Sequence, residues 1–125
     1  MNRIIAITVM LFTIFLSDAA EFSKEISFER GHNSSTLHGS VIRGDRNVYL
    51  LRVRSGQTIS IKAAAQENNV AFSIYEPKAS EPIPGTEEQN DLTSWSGTSS
   101  KSGPYRIVVG SSRGNATYSL QVAVQ

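Results

Sequence analysis

From residue 26 to the C-terminus, apolar and polar side chains alternate with a period of two almost throughout, the mark of strands with one buried face. The alternation predicts strands over residues 26–29, 37–42, 47–53, 58–64, 70–75, 92–97, 105–109 and 116–124. The inward sets are Leu37, Gly39 and Val41; Tyr49, Leu51 and Val53; Ile59, Ile61 and Ala63; Val70, Phe72 and Ile74; Tyr105, Ile107 and Val109; and Tyr118, Leu120 and Val122. Three turns, Arg43-Gly44-Asp45-Arg46, Arg54-Ser55-Gly56-Gln57 and Arg113-Gly114-Asn115, supply a glycine or asparagine where the chain must reverse. Residues 76–91 hold three of the four prolines and read as a loop, because proline cannot donate to a ladder. Residues 94–104 (SWSGTSSKSGP) read as a weak strand running into an exposed loop. Seven or eight strands at about ten-residue spacing predict an all-β chain, a single antiparallel β-sandwich.

The N-terminus follows a different rule. A short basic start, Met1-Asn2-Arg3, leads into a run of thirteen uncharged residues, 4–16, which is the length of a secretory h-region and too short to span a bilayer. Ser17 and Ala19 place small residues at −3 and −1 of a cleavage site, so residues 1–19 read as a signal peptide and residues 20–125 as the exported domain. No cysteine follows the h-region, or occurs anywhere in the 125 residues, which excludes a lipid anchor, a disulfide framework and thiolate metal sites. An exported chain without cysteine suits the bacterial periplasm, and no membrane association is expected after cleavage.

A net charge of +1 argues against nucleic acid as a partner, since phosphate neutralisation needs a basic face. The charge is unevenly spread: residues 43–62 carry a balance of +4, residues 63–91 one of −5, and residues 92–125 one of +3 with no acid. Basic C-terminal loops of this kind can face an acidic target such as a carboxylate-bearing cleft, or serve solubility alone. Candidate catalytic chemistry is sparse. His32 and His38 stand without clustered acids, so neither a metal nor any other cofactor is expected. There is no G-x-S-x-G elbow, and the paired Glu87-Glu88 lies in the proline-rich loop. Gly110-Ser111-Ser112-Arg113-Gly114 lacks the lysine of a phosphate loop, and Arg43-Gly44-Asp45 is explained by its turn. An enzyme is not expected.

The segments Phe28 to Ser35 (FERGHNSS), Leu37-His38-Gly39-Ser40-Val41 and Tyr49 to Val53, followed by Ser55-Gly56-Gln57, resemble the bacterial periplasmic inhibitors of animal lysozymes. The likeness is to the inhibitors of goose-type lysozyme first and of invertebrate-type lysozyme next. Ser102-Gly103-Pro104-Tyr105 matches their S-G-x-Y motif, and Tyr118-Ser119-Leu120-Gln121-Val122 resembles their closing strand. The resemblance implies an animal lysozyme as partner, a β-sandwich, and host-defence evasion by insertion of the S-G-x-Y loop into the enzyme's cleft. The Ser102 hydroxyl would then bond the catalytic carboxylate, with Gly103 permitting close approach and Pro104 stiffening the loop. Arg113, with Ser112, is the candidate second contact. The loop 110–115 carries a single basic side chain, fewer than the resemblance implies.

The same skeleton also resembles the prepeptidase C-terminal domains of secreted hydrolases, which makes a carbohydrate- or peptidoglycan-binding module the alternative. In that reading Trp95 stacks on sugar; otherwise it is a core or edge residue. Tyr105 either touches the target or packs in the core with Ile107 and Val109. Oligomeric state stays open, a homodimer included.

Overall fold

The computed structural model describes residues 21–125, so the signal peptide read over residues 1–19 lies outside the described residues. Eight strands form: β1 (Glu21–Glu25), β2 (Ser34–Ile42), β3 (Arg46–Val53), β4 (Thr58–Ala65), β5 (Val70–Tyr75), β6 (Ser94–Thr98), β7 (Gly103–Ser111) and β8 (Asn115–Val124). They pair into two four-stranded sheets, ordered β1-β3-β7-β5 and β2-β8-β4-β6. This is the all-β sandwich that the period of two predicts.

Two features depart from the expectation. The first strand is Glu21–Glu25 rather than 26–29, and it runs parallel to β3, so the sandwich is not wholly antiparallel. The Ile26 N–H makes one last bond to the Leu50 carbonyl, after which the chain crosses from one sheet to the other. The apolar spacing of Ile26 and Phe28 therefore reflects the packing of this crossing against the core and not a ladder.

The inward sets fill the space between the sheets. Tyr49, Leu51, Val53, Ile59, Ile61, Phe72, Ile74, Ile107, Val109, Leu120 and Val122 are all buried, and each aliphatic or Phe side chain adds about 1.5–3 kcal/mol of burial. Leu37, on the edge strand β2, is only half-buried. In the middle of the core Tyr49 and Tyr118 bring their hydroxyls to 2.6 Å. Asn47 Nδ2 donates to the Tyr118 hydroxyl at 2.7 Å and to the Ser40 carbonyl at 3.0 Å, so this polar cluster is satisfied. The space comes from Gly39, where a Cβ would stand 2.7 Å from the Tyr118 oxygen and 3.0 Å from that of Tyr49.

No two consecutive strands are neighbours in either sheet. From β2 onward every connection crosses the sandwich, which sorts the connections onto two ends. The crossing 26–33, the β3–β4 turn, the start of the loop after β5 and the β6–β7 loop gather at one end. The β2–β3, β4–β5 and β7–β8 turns gather at the other. The proline-rich segment 76–93 must return from the first end to the second. It does so along the free edge of β5, where Ile83 N–H bonds the Ile74 carbonyl at 2.7 Å and Phe72 N–H the Leu92 carbonyl at 2.9 Å.

Candidate functional site

Ser102 lies in the short β6–β7 loop, exposed together with Ser100 and Lys101. Its position is held from three sides. From the β3–β4 turn, the Ser55 N–H donates to Ser102 Oγ at 2.8 Å, and Ser99 Oγ donates to the Arg54 carbonyl at 2.6 Å. From the loop after β5, the Glu76 carboxylate accepts the Ser100 hydroxyl at 2.8 Å and faces Lys101 Nζ at 3.8 Å. From below, the Tyr105 hydroxyl donates to the Lys101 carbonyl at 3.2 Å and accepts the Lys101 N–H at 3.3 Å.

The bond from Ser55 uses an acceptor position on Ser102 and fixes the oxygen, while the hydroxyl proton makes no bond among the described residues. Gly103 has φ +133°, a region that side chains rarely adopt, and a Cβ there would stand 3.1 Å from Pro77 Cγ. Any other residue at 103 would therefore be strained twice and push the loop off Pro77. The Pro77 segment is in turn tied to β7: Arg106 lies over the Tyr75 ring at 4.6 Å and donates to the Ala79 carbonyl.

Of the sequence-predicted residues, Ser102, Gly103 and Pro104 share this end, and Tyr105 anchors it. The Tyr105 ring is 1% exposed and packs in the core with Ile107 and Val109, so its part in the loop is support from beneath. Arg113 and Ser112 are not brought to the same place. They lie past the far end of β7, whose nine residues separate the two loops by roughly 27 Å. There Arg113 donates to the Glu67 carbonyl, and the Ser112 carbonyl accepts Arg43 at 3.1 Å. Buried Asn69 pins this turn through bonds of 2.9 Å to the carbonyls of Arg113 and Asn115.

Trp95 sits half-buried on edge strand β6, its ring lying over Gly97 and packed against the core. Among the described residues no group of three or more His, Asp or Glu side chains is placed to hold a metal ion. Sequence reasoning missed Ser55, Glu76 and Pro77, since each meets the loop across a long sequence separation. Ser55 and Ser102 are 47 positions apart.

Fold and site together define a class: a small β-sandwich that presents an exposed, braced loop at one end. Solved structures similar to the chain share its fold. The periplasmic inhibitor of g-type lysozyme from Aeromonas hydrophila superposes with a TM-score of 0.72 at 28% identity, covering 86% of this chain and 100% of its own. The inhibitor of g-type lysozyme from Salmonella Typhimurium gives 0.67 at 17% identity over 83% of this chain and 98% of its own. The pre-peptidase C-terminal domain of a Bacillus anthracis collagenase gives 0.62 at 21% identity over 87% of this chain and 100% of its own, a likeness of fold alone. No family model and no curated protein sequence matches the chain. Both groups that the sequence resembles are thus among the structural neighbours, the lysozyme inhibitors with the higher TM-scores.

Proposed function

We propose that this protein is a periplasmic inhibitor of animal lysozyme, goose-type first and invertebrate-type next, which occupies the enzyme's active-site cleft with Ser102, Gly103 and Pro104, supported from beneath by Tyr105, and performs no chemistry. The likeness to the Aeromonas hydrophila inhibitor, at 28% identity over the whole of that chain, carries this reading. The architecture of the Ser102 end supports it. An inhibitor loop binds tightly when its ordering cost has been met before contact, and this loop is braced by Ser55, Glu76, Pro77 and Tyr105. Ser102 arrives with its oxygen fixed and its proton free to donate to a cleft carboxylate, a bond worth about 1.5–3 kcal/mol. The remaining affinity has to come from an interface of about 1,600 Å² around it. Residues 1–19 would deliver the chain to the periplasm. Arg113 and Ser112, at the opposite end, would meet a different surface of the target or none.

The test is residual lytic activity of goose-, invertebrate- and chicken-type lysozymes titrated with the protein starting at Ala20, beside a Ser102→Ala variant. Saturating inhibition of one class is expected, weakened roughly ten- to hundredfold by the substitution. Failure to inhibit any of the three overturns the reading and turns attention to glycan binding at Trp95.

A further inference from the structure

We infer that Arg54, with the cavity beside it, is the second target contact of the Ser102 end and takes a carboxylate-bearing side chain of the partner protein; the inference rests on the inhibitor reading above. Arg54 stands on the β3–β4 turn one residue before Ser55, whose N–H fixes Ser102. Its backbone is fully engaged. The N–H donates to Gln57 Oε1 at 2.7 Å, and the carbonyl accepts Ser99 Oγ at 2.6 Å and the Gln57 N–H at 3.2 Å.

The side chain, by contrast, is exposed and makes no ion pair or hydrogen bond among the described residues. Most other arginines of the molecule have partners: Arg43 bonds the Ser112 carbonyl, Arg46 pairs with Glu88, Arg52 with Glu25, Arg106 bonds Ala79 and Arg113 bonds Glu67. Only Arg30 shares the unpaired condition of Arg54 among the described residues, and it lies in the crossing segment at the same end. A guanidinium on a pinned base keeps its planar fork of donors for an incoming carboxylate at low ordering cost.

Beside it opens a cavity of about 360 Å³ lined by Phe28, Val53 and Val124 together with His32, Arg52 and Arg54. Arg52 is engaged by Glu25, so the apolar lining with Arg54 as its unpaired arginine and His32 beside it suits a side chain with an aliphatic stem and an acidic head. Arg113, at the other end of β7, cannot reach the same carboxylate as the Ser102 loop.

The test compares the exported chain with its Arg54→Gln, Arg54→Lys, Arg113→Gln and Ser102→Ala variants, measuring association and dissociation rates against the three lysozyme types across a salt series. Arg54→Gln is expected to weaken binding on the order of tenfold, chiefly through faster dissociation. Arg54→Lys should fall between, and Arg113→Gln should stay within about twofold of wild type. Thermal unfolding of the Arg54 variants should match wild type, because the side chain holds nothing in the free protein. Wild-type affinity in Arg54→Gln beside a loss in Ser102→Ala overturns the Arg54 contact alone. Absence of wild-type binding to all three lysozymes overturns the inhibitor reading, and this contact with it.

Discussion

Tyr49 and Tyr118 put two phenol oxygens against each other inside a largely apolar core, and this has a titration consequence. Burial first, then the hydrogen bond and charge of Tyr118, pushes the Tyr49 phenol well above its ordinary value. The folded protein therefore keeps this proton at alkaline pH values where the unfolded chain, with an ordinary phenol near pH 10, gives it up. The contribution to stability is whole below about pH 10 and falls as pH rises above it, by at most about 1.4 kcal/mol per pH unit. Denaturant unfolding at pH 8 and pH 11 should accordingly show a smaller alkaline loss in Tyr49→Phe than in wild type. Equal losses would mean that other groups govern the alkaline limb. Gly39 belongs to the same cluster, since the space it leaves is what the two hydroxyls occupy.

At the scale of elements, the segment after β5 shows how a proline-rich loop can be structural. It lies along the open edge of β5 and blocks that edge from pairing with another chain. Its fastening is Thr86, fully buried, whose hydroxyl bonds the Ile83 carbonyl at 2.9 Å and accepts the Ile74 N–H at 3.1 Å. Thr86→Val keeps the shape and removes both bonds, leaving a buried N–H unsatisfied. A loss of about 1–3 kcal/mol in chemical unfolding is expected. None of this was legible in the sequence, where 76–91 shows only prolines and charge. The strands were legible where alternation and tertiary burial agree, as in Tyr49-Leu51-Val53 and Ile59-Ile61-Ala63. Glu21–Glu25 was not, because a short polar edge strand pairing in parallel with β3 has no periodic signature of its own. Ser102-Gly103 was found through its motif. Its supports at Ser55, Glu76 and Pro77 depend on which turns share an end, and a local pattern does not record that.

For the whole molecule, the strand order is decisive. It sends Ser102 and Arg113 to opposite ends although only ten residues separate them in sequence, and it gathers Arg54, Ser55 and Ser102 from distant stretches. It also makes β8 an inner strand of its sheet, paired on one side with β2 from Ser34↔Ala123 to Ile42↔Asn115 and on the other with β4. Truncation after Gly114 should therefore abolish the cooperative thermal transition and not merely lower its midpoint, a point that circular dichroism melts would decide at once. With no hairpin joining sequence neighbours, loop closure has to precede every sheet contact, which places refolding in the slow range of small domains, on the order of milliseconds to seconds. A chain handed N-terminus first through a narrow pore would gain no sheet neighbour for β2 until β8, at its C-terminal end, had come through. The β1–β3 and β4–β6 pairs could close earlier, so the sheet that holds β2 would be the last part of the sandwich to be completed in such a passage.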